Sequence, residues 1–551
     1  MKEMKNIVFL YAGFPLAHAF DVLFDSRTAF DRVLDWAKDI QDCAEIIIAT
    51  TPAHEGAVQK ALAAQAVPKT RIVTQPSWNT AQMLECMAQG AAAQQVDFVL
   101  YTSADRPFLD KELTDQLMVN HITYLSEYTF ADGYPLGFAP ELISSGTTNI
   151  LLSLAKGSQK AAGDAPVGNE SIFNVLRGDI NSFEIETVIA PKDYRMLRFD
   201  FSCSTKQHTN ACKALYDEAK KTGCLFEAHQ LSELACATAA VQQTVPAFYN
   251  IQIAENCTTL AAYNPYPEAF KAKRGILPVK KDNPLAHDMD FERFRVLIDC
   301  ITLFSETAVI GLSGFSEPLT NERLADFVAC VLKRTGLSVL IETDGMLVTN
   351  SLAQKLAAIA SAAPERTNNM PPIIWIVAVD AMTEEIYAKL HTGASAEGRA
   401  SRMFQNAVDA VKVLESFFPD AVYPQFVRMK DNEEELEKFY RYYHDKESPS
   451  KGKLIIQKYD NYCGLLKAQK PADLAPLERN PCWHLKRDML VLCDGSVPLC
   501  REHILDGIAG NVFTDGVDKV WDALRPELEK QIRKDYGGKC KDCDEYYTFN
   551  F

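Results

Sequence analysis

Short apolar runs alternate with stretches of helical spacing twice along this chain, and that alternation constrains its fold more than any other feature. Residues 6–11 form a buried-strand run, and Phe30, Val33, Leu34 and Ala37 then recur at the helical period. Further short runs stand at 46–49, 71–73 and 98–101. Up to about residue 245 this series predicts an α/β fold, a doubly wound parallel sheet with helices on both faces. The stretch 156–171 is rich in Gly, Ala, Ser and Lys and reads as a surface loop. A second series opens near residue 247, with strand runs at 251–253, 308–312, 338–341, 373–379, 422–427 and 453–457. Helical stretches such as 321–333 and 432–443 separate them. Six βα units in one direction predict a partial (β/α)6 barrel, with its chemistry at the C-terminal strand ends. A linker at 470–476 leads to a cysteine-rich tail. The chain thus divides at the sequence level into 1–245, 246–470 and 471–551.

The formal charge of −16 carries no concentrated basic stripe, which argues against nucleic acid as a partner. No apolar run reaches the length of a membrane span. Lys2, Lys5, the run 7–17 and the end Ala17-His18-Ala19 imitate a signal peptide. Gly13-Phe14-Pro15 interrupts that run, which reads instead as the first strand of the α/β series, so a cytoplasmic location is expected. Of the 15 cysteines most are isolated in apolar surroundings, such as Cys86, Cys236, Cys300 and Cys330, and read as buried reduced thiols.

The tail cysteines differ. Cys482 is followed by Asp494-Gly495, a turn between two short strands that returns Cys500 toward Cys482. Cys540-Lys541-Asp542-Cys543 offers two thiolates on one loop, the usual half of a metal site. Four thiolates suit either zinc or an iron–sulfur centre, and spacing alone leaves both open. Cys493, His484 and His503 lie nearby; Cys493 reads as a strand thiol and the histidines as hydrogen-bonded or surface groups.

Cys482, the turn 494–500, Gly510-Asn511-Val512, Trp521 and Cys540-x2-Cys543 together resemble a SPASM domain, the auxiliary iron–sulfur module of radical S-adenosylmethionine enzymes that modify peptides and proteins. The resemblance implies one 4Fe-4S cluster on Cys482, Cys500, Cys540 and Cys543, because longer SPASM domains continue with further cysteines. It also implies a peptide or protein substrate. The region from about 250 to 460 resembles the barrel of the same enzymes. Its Gly314 and Glu317 stand after the second strand like the family's Gly-Glu-Pro segment, which meets the methionine amino group. Thr343-Asp344-Gly345, Val379-Asp380-Ala381 and 425–429 follow in order on later strands. The family's CxxxCxxC motif should follow the first strand. In its place stands Cys257 alone, with Ala261 and Asn264 where the other two thiols belong. One thiolate does not hold that cluster, and without it S-adenosylmethionine is not cleaved to a radical. Glu317 then either meets a bound small molecule or closes a strand end as a relic.

The first 245 residues resemble sugar-nucleotide nucleotidyltransferases of the GT-A-like α/β type, through 7–13, 104–108 and 132–137. That resemblance implies Asp105 as a ligand of the metal on nucleotide phosphates. The loop after the first strand, 12–18, has one glycine and no fixed cation, so it lacks the amide cradle and positive side chain that a triphosphate needs.

Overall fold

Every residue of β1 (Asn6–Ala12) is buried, because it runs through the middle of a sheet covered on both faces. Ile7, Phe9 and Tyr11 enter one core and Val8, Leu10 and Ala12 the other, the period of two that a strand imposes. The computed structural model describes residues 4–13, 16–274, 287–368, 370–392, 399–472 and 474–548. Phe14 and Pro15 of the first loop, Asp473 of the linker and the last three residues lie outside them. The chain forms two compact units, Met1–Thr244 and Val245–Phe551.

In the first unit β1 lies between β2 (Cys43–Thr50) and β4 (Phe98–Ser103), with β3 (Thr70–Thr74) outside β2, all parallel. Beyond β4 come β6 (Glu141–Ser144), β5 (Tyr128–Asp132) and β7 (Ile185–Ile189). β6 is antiparallel to both β4 and β5, so the sheet is mixed where the sequence reads as wholly parallel. The reversal needs no crossover helix. Gly133 and Gly137 turn the chain at φ +80° and +103°, and a Cβ on Gly137 would stand 2.5 Å from the Phe201 carbonyl oxygen. The stretch 156–171 is more than a surface loop: it contains the short helix Lys160–Asp164 and buries Val167 in the core.

In the second unit β8 (Phe248–Ile251), β10 (Ala308–Gly311), β11 (Leu337–Thr343), β12 (Ile373–Ala378), β14 (Val422–Arg428) and β15 (Ile455–Lys458) are neighbours in chain order and all parallel, a half barrel. A two-stranded bridge of β9 (Leu260–Ala261) and β13 (His391–Thr392) sits apart. Tyr249, Ile310, Val339, Ile341, Trp375 and Val377 face outward under helices such as Phe291–Ser305 and Leu324–Leu332. Phe248, Val309, Leu340, Ile374 and Ile376 face inward. The tail supplies a seventh strand, β16 (Asp488–Val491), parallel to β8, and then a hairpin of β17 (Ser496–Pro498) with β18 (Ile508–Asn511). The tail and the half barrel therefore share one sheet and one core, to which the tail adds Met489, Val491 and Trp521. All described cysteines are free; Cys86 and Cys330 are buried, Cys236 is half-buried, and Cys300, read as buried, is exposed on its helix.

Two outcomes follow from this packing. A chain ending at 470 leaves the β8 edge unpaired and its outward core uncovered, so it should aggregate on size-exclusion chromatography where the full chain does not. His121 is 2 % exposed, with Nδ1 at 2.8 Å from Thr129 Oγ1 and Nε2 at 3.2 Å from Ser144 Oγ. Burial lowers its pKa from 6.5 to about 4. The unfolded chain then takes up the proton first, so stability is full above the unfolded pKa and is lost as pH falls toward the folded one. Urea unfolding of the first unit should lose about 2 kcal/mol between pH 7 and pH 5, a slope that His121→Gln flattens.

Candidate metal centre

Cys482, Cys500, Cys540 and Cys543 come from three separate segments and border one cavity. Cys482 precedes the short helix Trp483–Arg487, and β16 and β17 carry the chain on to Cys500. The turn between these strands requires Gly495 at φ +84°, where a Cβ would run into the Phe513 ring. Asn511 Nδ2 closes that turn on the Asp494 carbonyl at 2.9 Å. The third segment is tied to the first by buried Gln531. Its Oε1 accepts from the Cys482 amide at 2.9 Å, and its Nε2 donates to Cys540 Sγ at 3.6 Å. The Arg479 guanidinium donates to the Cys540 and Lys541 carbonyls and lies over the rings of Tyr536 and Tyr546.

Burial pushes all four thiols up, Cys482 to about 12. Left to themselves they stay protonated at neutral pH; a bound cationic centre reverses that and makes them thiolate ligands. Leu485, Leu499 and Tyr546 supply the apolar part of the wall, and Glu502, Glu545 and Lys539 the charged part. Among the described residues no three His, Cys, Asp or Glu side chains stand as ligands of a single metal ion. A tetrahedral zinc needs its sulfurs about 2.3 Å from one point. A cluster has a body of its own and takes ligands around its outside, so thiols spaced about a cavity fit it better.

The neighbours weighed from the sequence take other roles. Cys493 Sγ donates to the Gln252 carbonyl at 3.1 Å. His484 and His503 line the cavity, but each holds a carboxylate through Nδ1, Asp488 at 2.6 Å and Asp506 at 2.8 Å. Cys463, not singled out in the sequence, has Glu502 Oε2 and the Lys539 carbonyl each at 3.6 Å as acceptors for its one thiol hydrogen and lies against the Cys543 thiol.

A second cavity, of about 120 Å³, opens at the C-terminal ends of the half-barrel strands. Cys257, Ala261, Asn264, Gly314 and Glu317 all border it. Cys257 is buried, and its thiol is pushed far above the usual range by that burial. Asn264 Nδ2 donates to the Phe315 carbonyl at 2.7 Å. Gly314 holds φ +58°, with its amide on Asn250 Oδ1 at 2.8 Å. Glu317 is bound internally on both oxygens. It accepts from Thr343 Oγ1 at 3.0 and 3.1 Å, from the Asp344 amide at 2.9 Å and from the Leu319 amide at 3.1 Å, where it caps the short helix Pro318–Thr320. Deeper in, the fully buried pair Asp380 and His391 meets at 2.9 Å, and Asp380 also accepts from Tyr263 at 2.8 Å and the Val427 amide at 2.7 Å.

In the first unit Asp105 lies in the turn after β4, 3 % exposed, with Oδ1 lacking a hydrogen-bond partner. Burial raises its pKa, and the neighbouring Arg106 opposes that rise.

The family model of the SPASM iron–sulfur cluster-binding domain matches residues 482–544, the segment that holds all four thiols. A protein of Treponema pallidum (strain Nichols), described as uncharacterized, is 37 % identical over 383 residues, 69 % of this chain and 98 % of its own length. The chain belongs to the family of that Treponema protein. It carries a SPASM domain. Its fold is also similar to a solved anSMEcpe with bound AdoMet (14 % identity, TM-score 0.37, covering 55 % of this chain and 87 % of that one) and to a cytidylyltransferase from Leptospira borgpetersenii (13 % identity, TM-score 0.32, covering 40 % and 95 %). No helix among the described residues is long and apolar enough to cross a membrane.

The SPASM domain's supports were not legible as such in the sequence. Gln531 reaches back 49 residues to the Cys482 amide and Arg479 forward 61 to the Cys540 carbonyl, at no recognisable spacing. Glu342 and Gln425, which border the barrel mouth, did carry a signal: each is a polar residue at an inward position of a mostly apolar parallel strand. The internal bonds of Glu317 predict that Glu317→Ala lowers unfolding stability of the second unit by about 2–4 kcal/mol, through three orphaned donors, the Thr343 hydroxyl and the Asp344 and Leu319 amides. Chemical denaturation checks this.

Proposed function

We propose that this SPASM-domain chain holds one 4Fe-4S cluster on Cys482, Cys500, Cys540 and Cys543, and that its half barrel has given up cleavage of S-adenosylmethionine. The observation that carries the cluster assignment is the convergence of four thiols, from three segments inside the matched domain, on one cavity. The donor set is all-sulfur, which suits iron–sulfur chemistry. A cluster there supplies one-electron transfer. The chain's own residues do the rest. Gln531 and Arg479 fix the ligand loops, Leu485, Leu499 and Tyr546 keep water away, burial pushes the Glu502 carboxyl up to about 9, and Glu545 is ion-paired to Lys458.

Loss of cleavage rests on the barrel mouth. Only Cys257 remains of the three thiols that a second cluster needs, and Glu317 is spent on its own backbone neighbours. The lineage points to a peptide or protein as the partner. A narrower second reading concerns the first unit, where the unpartnered Asp105 oxygen favours a bound cation with a nucleotide. The loop at 12–13 and 16–18 offers no fixed positive charge beside it.

Anaerobically purified protein should carry about four irons per chain, and Cys540→Ser should lose the thiolate-to-iron absorption. Reconstitution with dithionite and S-adenosylmethionine should yield no 5′-deoxyadenosine. Zinc as the sole metal would end the cluster assignment, and 5′-deoxyadenosine formation would end the loss of cleavage.

A further inference from the structure

The barrel mouth contains polar groups that the protein leaves unsatisfied. On the inner face of the half barrel, Leu340 is followed two residues on by Glu342, and Tyr423 by Gln425. The lower positions build the apolar floor with Ile374 and Ile376, while Glu342 and Gln425 border the cavity above it. Gln425 is 7 % exposed, and its carboxamide has no hydrogen-bond partner among the described residues. The Glu342 carboxylate likewise has none; its one electrostatic partner is Arg501. Arg501 follows Cys500 in the SPASM domain and borders the same cavity from the other side. It donates to the Tyr462 hydroxyl at 2.6 Å and lies 5.7 Å over the rings of Phe315 and Tyr462, while its Nε is buried without a partner. No ion pair or hydrogen bond joins Arg501 to Glu342 among the described residues.

Buried polar groups are nearly always paired, and an unpaired one costs on the order of 1–3 kcal/mol. Here a carboxylate and a guanidinium face a common cavity without touching, beside an open carboxamide. The other acids at the mouth are occupied: Glu317 by Thr343 and two amides, and Asp344 by Thr258, Thr259 and the Met346 amide. The cavity, about 120 Å³, has room for more than one water.

We propose that this cavity is a binding site for an amino-acid-sized zwitterion, its ammonium group on Glu342, its carboxylate on Arg501 and its polar edge on Gln425. Such a ligand supplies the missing donor to one wall and the missing acceptor to the other, and neutralises two half-buried charges. Neither a simple amine nor a simple carboxylate satisfies both walls. The site uses none of the four cysteine ligands.

Equilibrium dialysis of the full-length, cluster-loaded protein with labelled L-α-aminobutyrate tests this. Propylamine and butyrate serve as competitors, since they keep the apolar part and one charge each. The expected result is retention of α-aminobutyrate that unlabelled α-aminobutyrate displaces at a concentration at least tenfold lower than either competitor. Glu342→Gln and Gln425→Leu should each weaken retention at least tenfold with the cluster absorption unchanged. If either variant fails to fold, the competition series on the unaltered protein decides alone. Absence of retention, displacement by propylamine or butyrate as readily as by α-aminobutyrate, or undiminished binding by folded Glu342→Gln would overturn the proposal. So would binding of S-adenosylmethionine with α-aminobutyrate refused. Iron content and absorption, read on the same samples, report separately on the cluster.

Discussion

The pairing of β16 with β8 is the contact on which the second unit depends. Its register, Asp488 on Phe248 through Val491 on Ile251, places a strand of the tail at the edge of the half barrel. Two consequences follow from that one ladder. Met489 and Val491 complete the outer core, so the tail is held by the same burial that holds the barrel helices. Cys482 and Cys500 also lie either side of a rigid strand, which fixes the first two thiols relative to the sheet rather than to a loose loop. Gln531 then needs only two hydrogen bonds to bring the segment that carries Cys540 to them.

The same ladder joins two cavities of opposite character. At the cysteines, burial holds the thiols in their protonated form, and the apolar wall leaves a cationic centre as what lets them ionise. At the barrel mouth most acids already have partners of their own, while among the described residues the side chains of Glu342 and Gln425 have no hydrogen-bond partner and Arg501 Nε is buried without one. Arg501, one residue past a thiol of the first cavity, is a wall of both. Whatever fills the mouth therefore touches the loop that carries Cys500, which gives the two sites a physical connection without any moving part.

Much of the architecture was legible in advance. Strands β1, β2 and β4 and the inner strands β10, β11, β12 and β14 of the half barrel read directly from apolar runs, since a strand covered on both faces has few polar positions to blur it. The four tail cysteines read from spacing. β6 and β16 did not read: each is four residues long, with a polar first residue, and each becomes a strand only through its partner. β8 falls a few residues before the run taken for it, because the pairing partners Val309 and Met489 select Phe248 and Tyr249. Glu317 was visible as a motif residue, but its four internal hydrogen bonds were not.

By itself the sequence determined which residues alternate, which are thiols, and that the barrel keeps one cysteine where its relatives by resemblance keep three. Those are properties of composition and local period, and they survive any folding of the chain. Tertiary structure alone decided that the tail joins the barrel sheet, that Cys463, Gln531 and Arg479 stand beside the four tail thiols, and that Glu342, Gln425 and Arg501 meet around one space. Proximity between residues tens to hundreds of positions apart is set by packing and strand register, and neither leaves a mark at a fixed spacing along the chain.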